Sequence, residues 1–423
     1  MKISNSNSPT VIDLFAGCGG LSLGLEQAGF FPLFVSELNS DARETYLLNR
    51  DERFPHLRDR FNVADIKECV GDPNFFTNLW AELSNHFSAI YERGSVDLVV
   101  GGPPCQGFSG IGLRRSYSVD KRQLPSNHLF QDMAFFIHNV RPKMFLFENV
   151  QGLLRARWTS AGDKGEIFRD VLRTFQELEG YNVRYSLVHA KQFGVPQNRP
   201  RVLLVGVRSD VALPTSTDID AIESGFLPSG KDDFHDLEDV LGDLCDPNFE
   251  YGGATKQYTQ SAETEASKYY RTRPDGTIMR RGSRLTEQEY SKHSQKVRDK
   301  FSYMIENGGE IPAHFQTKKF AQRLMPRRWS AQGPTITATS LPDDFVHFSQ
   351  ARTPTVREWA RLQTFPDWYE FAGKRTTGGL RRAGNPRENI HEREVPKYTQ
   401  IGNAVPVKMA YEVGKHFRKI LDP

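Results

Sequence analysis

Along the first half of the chain, apolar residues arrive in short runs separated by segments of helical character. The runs cover residues 10–15, 31–36, 96–100, 144–147, 183–188 and 202–207. This alternation predicts an α/β fold, a parallel sheet covered by helices. Each of the first four runs ends at a polar or glycine-rich turn carrying an unusual residue. Ligands of open α/β sheets sit outside the carboxyl ends of the strands, so these turns are expected to converge on one crevice. After Arg208 the pattern changes: Gly, Asp, Ser and Thr become frequent and apolar periodicity weakens until Pro334, which predicts a second, irregular lobe. Regularity returns at Thr355-Val356-Arg357-Glu358, whose capping-box spacing opens a short helix that must stop by Phe365-Pro366. Beyond it, Val405, Met409, Val413 and Phe417 fall four residues apart, a helix face suited to packing back on the first lobe. The expected division is residues 1–208, completed by 396–423, against residues 209–395. No internal repeat is visible.

Composition narrows the class. A chain of 423 residues exceeds one typical core and suits two lobes. With 38% hydrophobic and 25% charged residues it reads as a globular protein, not a disordered or fibrous one. No apolar run approaches the roughly 20 residues of a membrane span, and the beginning MKISNSNSPT lacks a signal-peptide hydrophobic region, so a cytoplasmic location without membrane contact is expected. Four scattered cysteines without C-x-x-C pairing or nearby histidines suggest neither disulfides nor a metal site. A functional cysteine would act as a thiol. The net charge of +3 permits nucleic-acid binding without demanding it. Residues 268–300 hold ten Lys/Arg against four Asp/Glu, and residues 372–394 include Arg381, Arg382 and Arg387. Solvated loops and an anionic partner both fit these clusters.

Residues 11–29, VIDLFAGCGGLSLGLEQAG, read as a strand, a tight turn at Gly17, Gly19 and Gly20, and a helix with Leu21, Leu25 and Ala28 on one face. Glycines at such a turn let the backbone approach a ligand. Twenty residues beyond Gly17 stands Glu37, at the end of the next run, where a carboxylate can accept from ribose hydroxyls. A nucleoside cofactor, a dinucleotide and plain strand–helix packing all fit this turn. Asp65 suits either an exocyclic adenine amine or a turn. In residues 96–110, VDLVVGGPPCQGFSG, prolines fix the backbone before Cys105, while Gly107, Gly110 and Gly112 loosen the segment after it. A cysteine of ordinary pKa, about 8.5, needs a positive field or a base before it attacks well. Buried inertness is the common fate of a cysteine, but the place between Pro104 and Gln106 after a strand favours a nucleophile. Glu148 ends the run MFLFE and suits either proton donation or an ion pair with a nearby arginine. Arg199 and Arg201 alternate just before VLLVGV, so extended backbone would point both the same way, toward a carbonyl, a phosphate or Glu148.

In this order the segments resemble the DNA (cytosine-5) methyltransferases of prokaryotic or phage restriction–modification systems. The resemblance rests on DLFAGCGG, GGPPCQGFS, FENV, QNRPR, TVREWARLQTFP and QIGNAVPV, and covers about residues 11–208 and 334–420. It implies a Rossmann-like sheet dependent on S-adenosylmethionine (SAM) and a smaller target-recognition domain, with the penultimate motif at 353–366 in the latter. The implied reaction moves a methyl group from SAM to carbon 5 of a cytosine within a specific double-stranded DNA sequence. Cys105 would add to carbon 6, Glu148 would serve ring nitrogen 3, Arg199 the cytosine carbonyl, and Arg201 the same pocket. The target base would be flipped out of the duplex. By the same resemblance Phe15, Ala16, Gly17, Gly20, Glu37, Asp65, Ile66, Pro103, Leu129, Asn403 and Val405 would surround the cofactor. Leu38 departs from the aromatic residue frequent after the ribose-binding acid, so aromatic stacking on adenine is not expected there. Residues 106–124, with Arg114, Arg115, Lys121 and Arg122, resemble the family's closing loop, and residues 209–333 would read bases. A monomer on DNA, with a separate cognate endonuclease, is the expected assembly. A tRNA methyltransferase is the rival reading, but Cys-Phe-Thr is absent after the arginine motif. A catalytically silent homologue would lack the Cys, the Glu or an Arg, and all are present. A nicotinamide oxidoreductase would have no use for Pro-Pro-Cys.

Overall fold

The computed structural model describes residues 8–104, 125–212, 217–231, 236–316, 322–328, 335–336, 344–377 and 394–422. The chain divides into two compact units: residues 1–190, 200–231 and 408–423, and residues 191–199 and 232–407.

The first unit is built on a seven-stranded sheet. Its strands are β1 (Thr10–Leu14), β2 (Phe31–Ser36), β3 (Asn62–Val63), β4 (Leu98–Gly101), β5 (Met144–Val150), β6 (Tyr181–His189) and β7 (Pro200–Arg208). Their spatial order is β3-β2-β1-β4-β5-β7-β6. Strands β1 to β5 pair in parallel, as expected for strands buried on both faces and written as near-continuous apolar runs. All six apolar runs of the sequence form strands; the two-residue β3 carries too short a pattern to be seen.

The parallel rule stops at β5. Strand β7 runs antiparallel to both β5 and β6. Only residues 190–199 join β6 to β7, and a link without a crossover helix cannot return the chain in parallel. The helices α1 (Gly20–Gln27), α2 (Ser40–Leu48), α3 (Leu129–Val140) and α4 (Glu166–Gln176) cover the sheet. Helix α4 is amphipathic, burying Ile167, Phe168, Val171 and Phe175. The helix expected near the end is α6 (Val407–Leu421), and Met409, Val413 and Phe417 are buried. It lies against α1: a Cβ built at Gly414 would come 2.8 Å from Ala28 Cβ.

The second unit has short helices and few strands, so much of its backbone lacks ladder partners. Buried arginines supply donors instead. Arg361, on the capping-box helix α5 (Val356–Leu362), donates to the Val240 carbonyl at 2.6 Å and pairs with Asp243 and Asp367, each at 2.5 Å. Arg271 also pairs with Asp243, and Arg352 grips Glu358 with two nitrogens at 2.6 and 2.8 Å. The cap is as read from the sequence: Thr355 accepts from the Glu358 amide, and Glu358 accepts from the Thr355 amide at 2.8 Å.

Burial alone would raise the Glu358 carboxyl, but Arg352 and His347 pull it down to about 2 from 4.5. A depressed acid stabilises the fold above its unfolded pKa and loses that contribution as pH falls through the folded one. Glu358→Gln is expected to destabilise by about 3–5 kcal/mol at pH 7, because it strands a buried guanidinium. The variant's stability should also fall less steeply than the wild type's between pH 4.5 and 2, measured by urea unfolding across that range.

Candidate active site

Strands β2, β1 and β4 end level with one another, Leu14 standing opposite Ser36 and Gly101, while β5, whose Phe147 lies opposite Gly101, runs on to Val150. The turns that follow them therefore share one edge of the first unit.

After β1 the backbone turns sharply, with Phe15 at φ 58° and Gly17 at φ 56°. A left-handed Phe is strained, and such strain collects at functional turns. A Cβ built at Gly17 would meet no atom within 4 Å, so this position is glycine for its backbone sign and leaves an open cradle. The Gly17 amide donates to Glu37 Oε2 at 2.8 Å, and the Asn39 amide to Oε1 at 2.7 Å. Burial raises the Glu37 carboxyl while these two amides oppose the rise. The acid expected at the end of β2 thus ties the two turns together. Gly20 begins α1 and is buried, while Phe15 and Ala16 are half-buried. Leu38 is 69% exposed beside Glu37.

Asp65 caps the helix Ile66–Gly71, accepting from the Lys67 amide at 2.9 Å, so one of its oxygens serves the turn. The Ile66 side chain lies in the apolar core, which leaves its backbone to meet any ligand. Leu129 is half-buried at the start of α3. Asn403 and Val405 belong to the second unit; Asn403 is exposed at the end of the helix Lys397–Asn403, and Val405 is buried.

The turn after β4 is locked against the end of β5. A Cβ at Gly102 would come 2.9 Å from Glu148 Oε2, and one at Gly101 would come 3.0 Å from the Leu14 carbonyl and from Met133 Sδ. A side chain at either position would need one of these neighbours to give way. Asn149 Nδ2 donates to the Pro103 carbonyl at 3.1 Å, which fixes the prolines to β5. Pro103 is buried and Pro104 exposed. Cys105 and residues 106–124, like 378–393, lie outside the described residues.

Glu148 is nearly buried and sits against Arg201, whose Nε is 2.5 Å from Oε1. The contact lies off the N–H direction, making it an ion pair rather than an aligned hydrogen bond. Burial weighs against the Arg201 charge, and Glu148 holds it. Of the partners open to the two arginines, Arg201 takes Glu148. Arg199 turns elsewhere: it donates to the carbonyls of Ile336 and Gly402 within the second unit. Gln197 binds beside it, accepting from the Ile336 amide at 3.0 Å and donating to the Leu362 carbonyl at 2.7 Å. The two arginines thus take different partners.

Sequence reasoning alone assigns no contact to two buried polar positions. Asn149 figures there only as part of FENV and Asp13 only as part of DLFAGCGG, although an acid inside the apolar run VIDLF signals a buried polar contact. Asp13 Oδ2 accepts from Ser22 Oγ at 2.5 Å.

Removing one member of a buried ion pair leaves the other uncompensated. Arg201→Met is expected to destabilise by about 3–5 kcal/mol in urea unfolding at pH 7. Adding Glu148→Gln to it should recover part of that loss, and full additivity of the two changes would refute the pairing.

This geometry has known relatives. The family profile described as C-5 cytosine-specific DNA methylase matches residues 9–419. The type II methyltransferase M.DdeI of Desulfomicrobium norvegicum is 32% identical over 95% of this chain and 86% of its own length. The type II methyltransferase M.Eco47II of Escherichia coli is 30% identical over 100% of this chain and 81% of its own. Among solved structures, one described as a DNA modification methyltransferase encoded within an E. coli prophage superposes with a TM-score of 0.65, at 22% identity, over 98% of this chain and 100% of that one, which shows the shared fold. With its Rossmann-like sheet and all six motifs in order, the chain belongs to the C-5 cytosine-specific DNA methylases, enzymes that methylate carbon 5 of cytosine in DNA.

Proposed function

We propose that this methyltransferase uses SAM, acts on a cytosine within one specific double-stranded sequence, and works through a covalent Cys105–cytosine adduct on a flipped-out base. The observation that carries this reading is the seating of Glu148 against the turn that leads to Cys105, through Gly102 and the Asn149–Pro103 bond. Carbon 5 of cytosine is a poor nucleophile until a thiolate adds to carbon 6. Glu148, beside that turn, would protonate or hydrogen-bond ring nitrogen 3 as negative charge builds on the ring. Arg201 would hold Glu148 in place. Arg199 would offer the cytosine carbonyl a guanidinium fixed by the Ile336 and Gly402 carbonyls. After methylation, loss of the carbon 5 proton and departure of Cys105 restore the aromatic ring.

The turn after β1 fits a nucleoside cofactor. Gly17 leaves an open cradle, and Glu37 presents a carboxylate two residues from an amide-capped helix start. Phe15, Ala16, Gly20, Asp65, Ile66, Pro103, Leu129, Asn403 and Val405 complete the proposed cofactor set. SAM supplies an electrophilic methyl group on a sulfonium. Base flipping is required because carbon 6 is hidden within a stacked duplex.

Residues 209–395 we assign to target recognition, and one element within them suits DNA. Residues 271–279 form a tight hairpin in which Thr272 bridges Ile278 and Asp275 accepts from the Thr277 amide at 2.9 Å, and a second turn at 280–283 follows it. It is rooted in the buried Arg271–Asp243 pair. Arg273, Arg280 and Arg281 are exposed, and Arg284 is 77% exposed with only a 3.7 Å ion pair to Glu370. A rigid arm of unengaged guanidiniums matches phosphates and guanine edges. A cognate endonuclease acting separately and a monomer on DNA complete the proposal. Cytoplasmic residence accords with that role, and no helix among the described residues is long and apolar enough to cross a membrane.

Bisulfite sequencing of plasmid DNA from cells expressing the protein should reveal 5-methylcytosine in one recurrent short sequence, absent with Cys105→Ser. Glu148→Gln should lower kcat by about 10²- to 10⁴-fold, the usual weight of general acid catalysis. Unmodified DNA beside soluble wild-type protein would sink the reading. For this arm, Arg280→Ala and Arg281→Ala should each reduce the slope of log affinity against log salt by about 1 for every phosphate left without its guanidinium. Unchanged slopes would remove the arm from the interface.

A further inference from the structure

Behind the turn after β1 lies a buried polar chain that no step above employs. Asp13 Oδ2 meets Ser22 Oγ at 2.5 Å, and that hydroxyl lies 3.0 Å from the Tyr46 hydroxyl. All three residues are 2% exposed or less. Arg50 stacks over the Tyr46 ring at 3.7 Å, pairs with Glu26 at 2.6 Å and donates to the Gly19 carbonyl at 3.3 Å. The chain thus runs from β1 through α1 to α2 and back to the glycine turn. Arg50 pairs with Glu26, whereas Asp13 has no salt bridge among the described residues and feels the Arg50 charge only at longer range.

A buried carboxyl without an ion-pair partner beneath a ligand turn is an unusual expense of stability unless something uses its charge. The strand order indicates what does. On the proposed reading, the ribose of SAM lies by Glu37, after β2, and its methyl group must face Cys105, after β4. Strand β1 stands between β2 and β4, so the sulfonium falls over the end of β1, whose buried acid is Asp13.

We propose that Asp13 is a positioning residue that supplies counter-charge to the SAM sulfonium, making the preference for SAM over its neutral product S-adenosylhomocysteine depend on pH. This rests on the SAM reading above. Burial pushes the Asp13 carboxyl up to about 7, with Ser22 and Arg50 opposing and Glu37 and Glu26 adding to the rise. The other groups that face it are the Tyr46 hydroxyl and, from β4, only the apolar register partner Val100. A cation placed nearby lowers that pKa, so SAM binding near neutral pH expels the Asp13 proton to solvent. SAM affinity then rises with pH up to about 7, while the neutral thioether gains nothing.

Isothermal titration of SAM and of S-adenosylhomocysteine across about pH 5.5 to 8.5, in buffers of different ionisation heat, tests this. The ligands' own amino groups titrate too, and comparison with Asp13→Asn removes their effect. The expected wild-type excess is about tenfold in the affinity ratio for one pKa unit of coupling, with proton release on SAM binding that the variant lacks. Ser22→Ala, which removes the donor that favours the carboxylate, should move the midpoint to higher pH and serves should Asp13→Asn fail to fold. A ratio with the same pH profile in wild type and Asp13→Asn, or an unmoved midpoint in Ser22→Ala, overturns the proposal. Failure of the wild type to bind either ligand overturns the SAM reading and the proposal with it.

Discussion

A carboxylate buried near the end of a strand needs compensation, and at Glu148 a cation supplies it, Arg201. The requirement reaches far into the fold. Glu148 ends a parallel strand, so a cation delivered at the same edge must come either from a turn or from the beginning of a strand running the other way. Strand β7 is that strand: its second residue is Arg201, in register with Val150 at the end of β5. The reversal of β7 therefore places an arginine where a parallel strand would have placed its start at the far edge. Close seating of the carboxylate then disfavours a side chain at Gly102, and Asn149 fastens the neighbouring prolines.

The second unit solves a different problem with the same residue type. Lacking long ladders, it leaves carbonyls in its interior, and guanidiniums satisfy them: Arg357 serves Tyr369 and Pro366, Arg361 serves Val240, and Arg199 serves Ile336 and Gly402. Each buried guanidinium also needs an anion or several carbonyls, which accounts for Asp243, Asp367 and Glu358 being buried or nearly so. Such a core fixes geometry without extended sheet and frees the surface loops to vary. An irregular domain can thus present a hairpin such as 271–279 on a rigid base.

Local signals in the sequence translate well. Glu37 is found by counting from Gly17 because a helix and strand of set length separate a glycine turn from the next strand's end. The Thr355–Glu358 cap is readable because it is settled within four residues. The reversal of β7 is not readable, since Val202–Val207 is equally apolar in either direction and only the short connection distinguishes them. The different partners of Arg199 and Arg201 are likewise hidden: alternation along an extended chain assumes one environment, and the partners of Arg199 lie 137 and 203 residues away in sequence. Long-range polar contacts such as Asn149 with Pro103 leave no periodicity at all.

Three acids stand near the ends of three parallel strands, and each is handled differently. Glu37 is met by two backbone amides, Glu148 by a guanidinium, and Asp13 by a hydroxyl, with the Arg50 charge only at longer range. Amides are fixed partial charges and suit an acceptor that must remain oriented. A guanidinium is a full charge and holds a carboxylate in one place. A hydroxyl carries neither and leaves its acid sensitive to any charge brought nearby. The sheet thus sets three carboxyls within one edge at three degrees of electrostatic support, and an acid whose ionisation responds to what binds is found where support is least.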